Sequence, residues 1–265
     1  MIFFLFFIFG LAIGSFLNVV IARLDTNQSI VGDRSRCPHC DKILRWYELA
    51  PLISFIVQKG RCRNCQKSIS CHYPVVEIST GSLFLLIFNQ FSISNFSIIN
   101  LFSLIYWLFI ASILIIIFVY DFKYYIIPDK IIWPAILISS GFNALNLFLV
   151  PDPKFQIFHL IWHIIFSQIG AIFFLILIII SKGEWMGLGD VKLAVLMGLI
   201  LGWPKILAAL FFSFMIGSFV SVILMIFKRK NIKDRIPFGP FLILGTFIAL
   251  FLGDQVLNWY LKFIF

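Results

Sequence analysis

The sequence predicts an all-α polytopic membrane protein with about eight transmembrane helices and one long hydrophilic loop. Of its 265 residues, 61% are hydrophobic, and the mean hydropathy is +1.03, whereas soluble domains contain roughly 45–50% apolar residues. Several apolar stretches also approach the roughly 20 residues that span a bilayer core. Together these features exclude a soluble domain that carries a single membrane anchor.

Eight apolar stretches are candidate transmembrane helices. The first has no basic segment before it and no cleavage site after it, so we expect a retained helix rather than a signal peptide. The sixth is short, and we expect it to be tilted, partly re-entrant or extended by its neighbours. The candidates are residues 2–22, 74–91, 97–120, 127–150, 155–180, 191–202, 206–227 and 238–262.

The distribution of Lys and Arg predicts the orientation of these spans. With eight spans, the loops on one side hold eighteen of the 21 basic residues, and the loops on the other side hold three. Because loops rich in Lys and Arg stay in the cytoplasm, the first set is assigned to the cytoplasm and both termini to the outside. The net charge of +9 therefore reflects topology, and we expect no nucleic-acid surface.

The only long hydrophilic segment, residues 23–73 (the cysteine loop), contains two Cys-x-x-Cys pairs. Such a tandem spacing is typical of a structural tetrahedral zinc site. A disulfide or a redox pair is the alternative, but thiols stay reduced in the cytoplasm, where we place this loop. We expect zinc to supply much of the folding free energy of the loop, with Cys71 and His39 not acting as ligands. The four expected ligands are Cys37, Cys40, Cys62 and Cys65.

Three aspartates are predicted to lie at the cytoplasmic membrane surface, where a carboxylate near hydrocarbon costs about 2.5–3.5 kcal/mol. Asp190 closes the run Gly187-Leu188-Gly189-Asp190 and could cap the sixth span, although capping does not explain the two glycines. Asp129 follows Pro128 at the start of the fourth span, which favours a structural or supporting role. Asp121 ends the third span against the helix dipole, which favours a chemical role.

Two carboxylates at one membrane surface indicate aspartyl-type proteolysis. When two such groups lie about 3 Å apart, one of them keeps its proton. The ionised group then takes a proton from water while the other donates to the scissile carbonyl oxygen. The sequence has neither a His-Glu-x-x-His zinc protease motif nor a Gly-x-Ser-x-Gly elbow.

Five motif blocks follow one another along nearly the whole chain. They are residues 14–20 with Arg23-Leu24, the double Cys-x-x-Cys loop with Gly60-Arg61 and residues 73–77, residues 121–129, residues 187–193, and residues 237–241. In this order the blocks resemble the type IV prepilin peptidases, also called leader peptidase/N-methyltransferases, which are GxGD-type membrane aspartyl proteases. The resemblance implies cleavage of the leader of type IV prepilins or pseudopilins after a Gly, on the cytoplasmic face of the bacterial inner membrane.

The resemblance also implies roles for particular residues. It maps the catalytic pair onto Asp121 and Asp190, and Gly187, Gly189 and Asp129 are expected to support that site.

Methylation of the new N-terminus from S-adenosylmethionine is implied as well, with Gly60 and Arg61 linked to it. Because the chain has no Rossmann fingerprint, that cofactor rests on the resemblance alone.

Glu77 at the head of the second span is expected either to cap its helix or to contact the leader. Gly10 and Gly14 form a small-xxx-small pair that predicts helix packing.

The predicted organisation is a first transmembrane helix in residues 1–22, a zinc-binding loop in residues 23–73 and a peptidase domain in residues 74–265. Two alternatives stay open. One is a peptidase whose zinc loop is purely structural. The other is a transporter or pilus-assembly protein with the aspartates as ion sites, although such sites usually lie at the bilayer midplane.

Overall fold

The computed structural model describes residues 2–26, 28–90, 98–149, 165, 168–184, 186–227 and 236–264. Within these ranges the chain forms nine α-helices and a short 3-10 turn, and its β contacts are two isolated bridges. The predicted all-α class is therefore confirmed. The helices are α1 (Ile2–Arg23), α2 (Ile53–Val57), α3 (His72–Gln90), α4 (Ile98–Tyr124), α5 (Asp129–Leu149), α6 (Ile169–Ser181), α7 (Leu188–Leu201), α8 (Lys205–Ile226) and α9 (Gly239–Ile264).

Four of these helices are long and apolar enough to cross a membrane: α1, α4, α8 and α9. Helix α6 is apolar but has 13 residues, and residues 155–164 of the predicted fifth span lie outside the described residues. Helices α3, α5 and α7 also coincide with predicted spans, but each falls short of those four helices in length or in hydropathy. The multi-pass character is thus confirmed, while the number eight stays a prediction.

The chain divides into two compact units, Met1–Ile116 and Ile117–Phe265. In the first unit, α1 packs along α3 through small residues. A Cβ added to Gly10 would lie 2.7 Å from the Cα of Gly81, and one added to Gly14 would lie 2.7 Å from the Cα of Glu77. The backbones of the two helices are therefore in close contact, as the small-xxx-small spacing predicts.

In the second unit, α7 is the central helix and packs against α5, α6, α8 and α9. Leu193, Leu196 and Met197 are fully buried on it, as expected of a helix that is apolar on every side after Lys192. Around it, α8 and α9 approach closely where Gly245 faces Ser213, since a side chain at Gly245 would overlap the Ser213 hydroxyl. This packing fixes the N-terminal turn of α7, which carries Asp190.

Candidate active site and metal centre

Asp121 lies in the last turn of α4, and only 4% of its surface is exposed. The helix continues to Tyr124, so Asp121 precedes the helix end by three residues instead of forming it. Tyr125 then adopts a left-handed conformation with φ of 60°, and its N–H donates to the Asp121 carbonyl oxygen at 2.8 Å. A left-handed residue of this kind commonly ends a helix, so the chain turns away while the Asp121 side chain stays buried.

Asp190 is the third residue of α7. Asp121, in the last turn of α4, lies near it within the second unit. The two carboxylates are near enough to interact electrostatically. The Asp190 carboxylate also interacts with the backbone N–H of Gly187, the N-cap residue of α7. This is the position that the acid of a capping box occupies. Asp190 therefore contacts both its own helix terminus and the second aspartate, which lies 69 positions earlier in the chain.

Gly239 completes the surroundings of Asp121. Its backbone N–H interacts with the Asp121 carboxylate, and a Cβ at Gly239 would collide with the Asp121 Oδ2 atom. That Oδ2 atom is buried and has no hydrogen-bond partner among the described residues. Sequence reasoning did not single out Gly239 as a site residue, although Gly239 lies in the motif block at residues 237–241.

An aromatic cluster holds the segment before Gly239 in place. The Phe238 ring contacts the rings of Phe214, Phe174 and Phe241, with centroids 5.1, 6.0 and 6.3 Å away. These rings come from α8, α6 and α9 itself, so two neighbouring helices fix the point at which α9 begins. The position of the Gly239 N–H beside Asp121 therefore depends on packing among apolar residues that are distant from Asp121 in the sequence.

The two glycines of the motif before Asp190 differ in their surroundings. A Cβ at Gly189 would lie 3.2 Å from the Cβ of Ile127, so glycine there permits close packing of α7 against the segment that follows α4. Gly187 has φ of −90° and ψ of 158°, which any residue adopts, and a Cβ there would meet only the Gly189 N atom at 3.9 Å. The fold itself thus favours a small residue at Gly189 and places no such demand on Gly187.

Asp129 does not join the two buried aspartates in the same way. It begins α5, its side chain is 63% exposed, and its carboxylate pairs with the Lys192 ammonium at 2.6 Å. That ammonium also lies 5.6 Å from the centroid of the Trp133 ring. Asp129 therefore links the first turns of α5 and α7, and a supporting role for it at the active site stays a prediction.

The four cysteines of the two Cys-x-x-Cys pairs converge in the first unit. Their sulfur atoms all lie within 4.8 Å of one another, and the Cys37 and Cys65 sulfurs are 3.9 Å apart. Tetrahedral zinc with Zn–S bonds of about 2.3 Å requires sulfurs about 3.8 Å apart, so this donor set fits a metal ion. Cys71 is exposed, and neither it nor His39 belongs to the cluster.

The two cysteine pairs form matching knuckles. In the first, the Cys37 N–H donates to the Lys42 carbonyl, and in the second the Cys62 N–H donates to the Lys67 carbonyl, at 3.0 and 2.9 Å. The residue after each pair is left-handed, with φ of 53° at Asp41 and 57° at Gln66. The repeated pattern Arg-Cys-x-x-Cys-x-Lys, at residues 36–42 and 61–67, is a signal of this duplication that sequence reasoning missed.

At two of the four cysteines, backbone N–H groups favour the thiolate that binds a metal. Those of Cys65 and Asn64 hold the pKa of the Cys62 thiol at about 6. The N–H of Lys42, followed by the side chain of Asn64, lowers the pKa of Cys40. Because cysteine binds metals as the thiolate, this arrangement favours the ligand form of the sulfur.

Gly60, Arg61 and Glu77 connect the cysteine loop to the helices. Gly60 has φ of 66°, which favours glycine, and Arg61 forms an isolated bridge with Ser68 at the base of the second knuckle. The Glu77 carboxylate accepts a hydrogen bond from the Leu52 N–H at 2.9 Å. Glu77 lies beyond the first turn of α3, so it does not cap that helix, and a leader contact stays a prediction.

Two family models match this chain. Residues 8–91 match the bacterial peptidase A24 N-terminal domain, and residues 108–222 match the type IV leader peptidase family. The first match contains all four clustered cysteines, and the second contains Asp121 and Asp190.

Full-length relatives support the same grouping. The chain is 32% identical to the prepilin leader peptidase/N-methyltransferase of Bacillus subtilis (strain 168), over 97% of this chain and 96% of the relative. It is 30% identical to the protein of that name from Aeromonas salmonicida (strain A449), over 97% and 92%. For the Stutzerimonas stutzeri protein of the same name, identity is 28% over 97% and 92%. No solved structure matches the chain.

Proposed function

The chain belongs to the type IV leader peptidase family, and on that premise we propose that it is a membrane aspartyl endopeptidase. Its substrates are type IV prepilins or pseudopilins, whose leader it removes after a Gly residue. The observation that carries the proposal is the meeting of Asp121 and Asp190, which come from different helices and interact beside the N-terminus of α9.

In this proposal the two carboxylates share one proton, because two like charges that interact disfavour double ionisation. The ionised carboxylate takes a proton from water as the water oxygen attacks the scissile carbonyl carbon. The other carboxyl group gives its proton to the carbonyl oxygen. The roles then reverse: the C–N bond breaks, its electron pair stays on nitrogen, and the departing amine receives a proton. The Gly239 N–H keeps the Asp121 carboxylate in position.

We place the site on the cytoplasmic face of the bacterial inner membrane. Support comes from the Lys and Arg distribution, which puts the cysteine loop and the aspartate ends of α4 and α7 on the positively charged side. A prepilin carries an apolar helix after its basic leader. That helix can lie in the bilayer beside the spans, which brings the leader junction to the depth of the aspartates.

We also propose that Cys37, Cys40, Cys62 and Cys65 hold zinc. Four sulfur ligands complete a tetrahedral shell, so the metal contributes to folding and offers no open position to a substrate. The zinc site would then stabilise the cysteine loop, where Gly60 and Arg61 are the residues that we associate with methyl transfer.

The second half of the proposed activity is N-methylation of the amine that cleavage exposes. When bound, S-adenosylmethionine would supply a methyl group carried on a sulfonium, and Gly60 and Arg61 are the residues that we associate with its use. The chain itself must hold the new N-terminus and this cofactor together, which requires a binding surface near the cysteine loop.

The intact mass of the product tests the proposal. The purified protein in detergent is incubated with a prepilin and S-adenosylmethionine. Loss of the leader with a gain of one methyl group would support both activities. Loss of the leader alone would leave a peptidase with a structural zinc loop. An uncut prepilin, with the protein folded and zinc bound, would overturn the proposal in favour of a transporter or an assembly protein.

A further inference from the structure

The short helix α2, within the otherwise hydrophilic cysteine loop, turns an apolar face outward. Ile53, Ile56 and Val57 are 66%, 71% and 61% exposed, and residues three and four positions apart share one face of a helix. On another side of α2, Phe55 packs against Gly60, where an added Cβ would lie 3.2 Å from the Phe55 ring. A helix in water normally buries its apolar face, so α2 has the reverse of the arrangement that water favours.

The 3-10 turn that precedes α2 extends this apolar surface. Trp46 lies in that turn and is 83% exposed, and the turn contacts α2. Tryptophan is enriched where a membrane meets water, because its ring is apolar and its N–H is polar. We refer to Trp46, Ile53, Ile56 and Val57 as the α2 surface. An exposed apolar surface of this kind marks a site of interaction with a membrane or with another protein.

Hydrogen bonds fix the level of α2 relative to the two long helices of the first unit. Leu52, which precedes α2, has φ of 57°, and its N–H donates to the buried carboxylate of Glu77 on α3. The Asn18 side chain on α1 donates to the Tyr73 carbonyl oxygen at the start of α3, at 3.1 Å. Because α1 is long and apolar enough to cross a membrane and α3 packs along it, α2 is held near the level where these helices leave the bilayer.

The charge of the cysteine loop favours anionic lipid as the occupant of the α2 surface. Residues 23–73 contain nine Lys and Arg residues and four Asp and Glu residues. Lys59, Arg61 and Arg63 follow α2 closely and are exposed, whereas one of the acids, Glu48, is buried. Basic side chains beside an exposed apolar face are typical of segments that lie in the surface of an anionic membrane.

We propose that the α2 surface inserts into the headgroup region of an anionic bilayer and holds the cysteine loop against the membrane. The Ile and Val side chains leave water there, and the Lys and Arg side chains that follow α2 meet lipid phosphates. The four-cysteine cluster then lies at the membrane surface instead of projecting away from it. The inference goes beyond the proposed cleavage and methylation, since it concerns the contact of the first unit with lipid.

Fluorescence quenching by lipid tests this contact in the full-length protein. A thiol-reactive dye is attached to an Ile56→Cys variant that also carries Cys71→Ser, with zinc present to protect the cysteine cluster. The control is Ser68→Cys in the same background, because Ser68 is exposed in the same loop and lies outside the α2 surface. Both proteins are placed in nanodiscs of phosphatidylglycerol and phosphatidylethanolamine that contain a lipid with a nitroxide near the top of its acyl chain.

The position of the dye decides the result. We expect quenching of the dye at position 56 to be at least about threefold stronger than at position 68, and to weaken when phosphatidylcholine replaces the anionic lipid. Equal quenching at the two positions would overturn the proposal. A dye at position 56 that is shielded from a water-soluble quencher but not quenched by the lipid would also overturn it, because protein would then cover the α2 surface.

Trypsin cleavage after Lys59 gives a second readout that needs no dye. Lys59 is exposed and lies two positions beyond the end of α2, so contact of α2 with the bilayer should slow the cut. Ile56→Asp adds a negative charge that an anionic membrane repels, and we expect cutting at least about fivefold faster than in wild type. Ser68→Asp is the matched control and should be cut like wild type, with equal zinc content in all three proteins. A folded Ile56→Asp protein that is cut at the wild-type rate in anionic nanodiscs would contradict the proposal.

Discussion

Because Gly239 has no side chain, the Asp121 carboxylate can occupy the space beside it. The two residues are 118 positions apart in the chain, yet a Cβ at Gly239 would collide with the Asp121 Oδ2 atom, and the Gly239 N–H interacts with the same carboxylate. The start of α9 is therefore part of the wall around the proposed catalytic pair. Its position is set by the Phe238 ring, which packs against three other phenylalanine rings.

Gly239→Ala should strongly reduce prepilin cleavage. The new methyl group must displace the Asp121 carboxylate, and misplacing a catalytic group by about 1 Å costs on the order of a hundredfold in rate. Initial rates of leader removal measure the effect. The control is Gly141→Ala, where a Cβ meets no atom within 4 Å and alanine favours the helix by roughly 0.5–1 kcal/mol. Equal rates for both variants would show that Gly239 does not shape the site.

The ion pair of Asp129 and Lys192 should contribute little to stability and little to chemistry. Both side chains are partly exposed, and exposed pairs are worth about 0.2–1 kcal/mol. We expect a double-mutant cycle of Asp129→Asn and Lys192→Met, followed by thermal unfolding in detergent, to give a coupling free energy in that range. Cleavage by Asp129→Asn should stay within a few-fold of wild type. Complete loss of cleavage by a folded Asp129→Asn protein would instead make Asp129 a catalytic residue.

Cys62→Ser should remove the metal and leave the peptidase folded. It replaces one of four converging sulfurs, and a structural zinc site loses most of its affinity when a ligand is lost. Metal analysis should show a large drop in bound zinc, and limited proteolysis should show faster cutting within the cysteine loop. Cys71→Ser is the matched control, because Cys71 is exposed and lies outside the cluster. Equal zinc in the two variants would contradict the four-cysteine site.

Local patterns in the sequence predicted the parts of the structure that depend on nearby residues. The all-α class follows from long apolar stretches. The convergence of the cysteines follows from the spacing within each Cys-x-x-Cys pair, because a metal ion defines where four sulfurs must meet. The packing role of Gly10 and Gly14 follows from a spacing of four residues on one helix face.

Contacts between distant segments were not predictable in the same way. The motif block at residues 237–241 draws attention to Gly239 but does not indicate that its backbone lies against Asp121, and nothing near Glu77 indicates that its carboxylate accepts from the Leu52 N–H. Similarly, α7 has 14 residues, and its contacts with four neighbouring helices explain why so short a segment has no polar side chain after Lys192. Such features depend on tertiary packing, which a single sequence does not display.

The most direct test of the account is leader removal by Asp121→Asn and Asp190→Asn, each compared with wild type by the mass of the prepilin product. Asparagine keeps the shape of the side chain but cannot exchange a proton as a carboxyl group does. Equal zinc content and helix content establish that each variant is folded. We expect that neither variant removes the leader. A folded Asp121→Asn or Asp190→Asn protein that cleaves at the wild-type rate would contradict the two-aspartate mechanism.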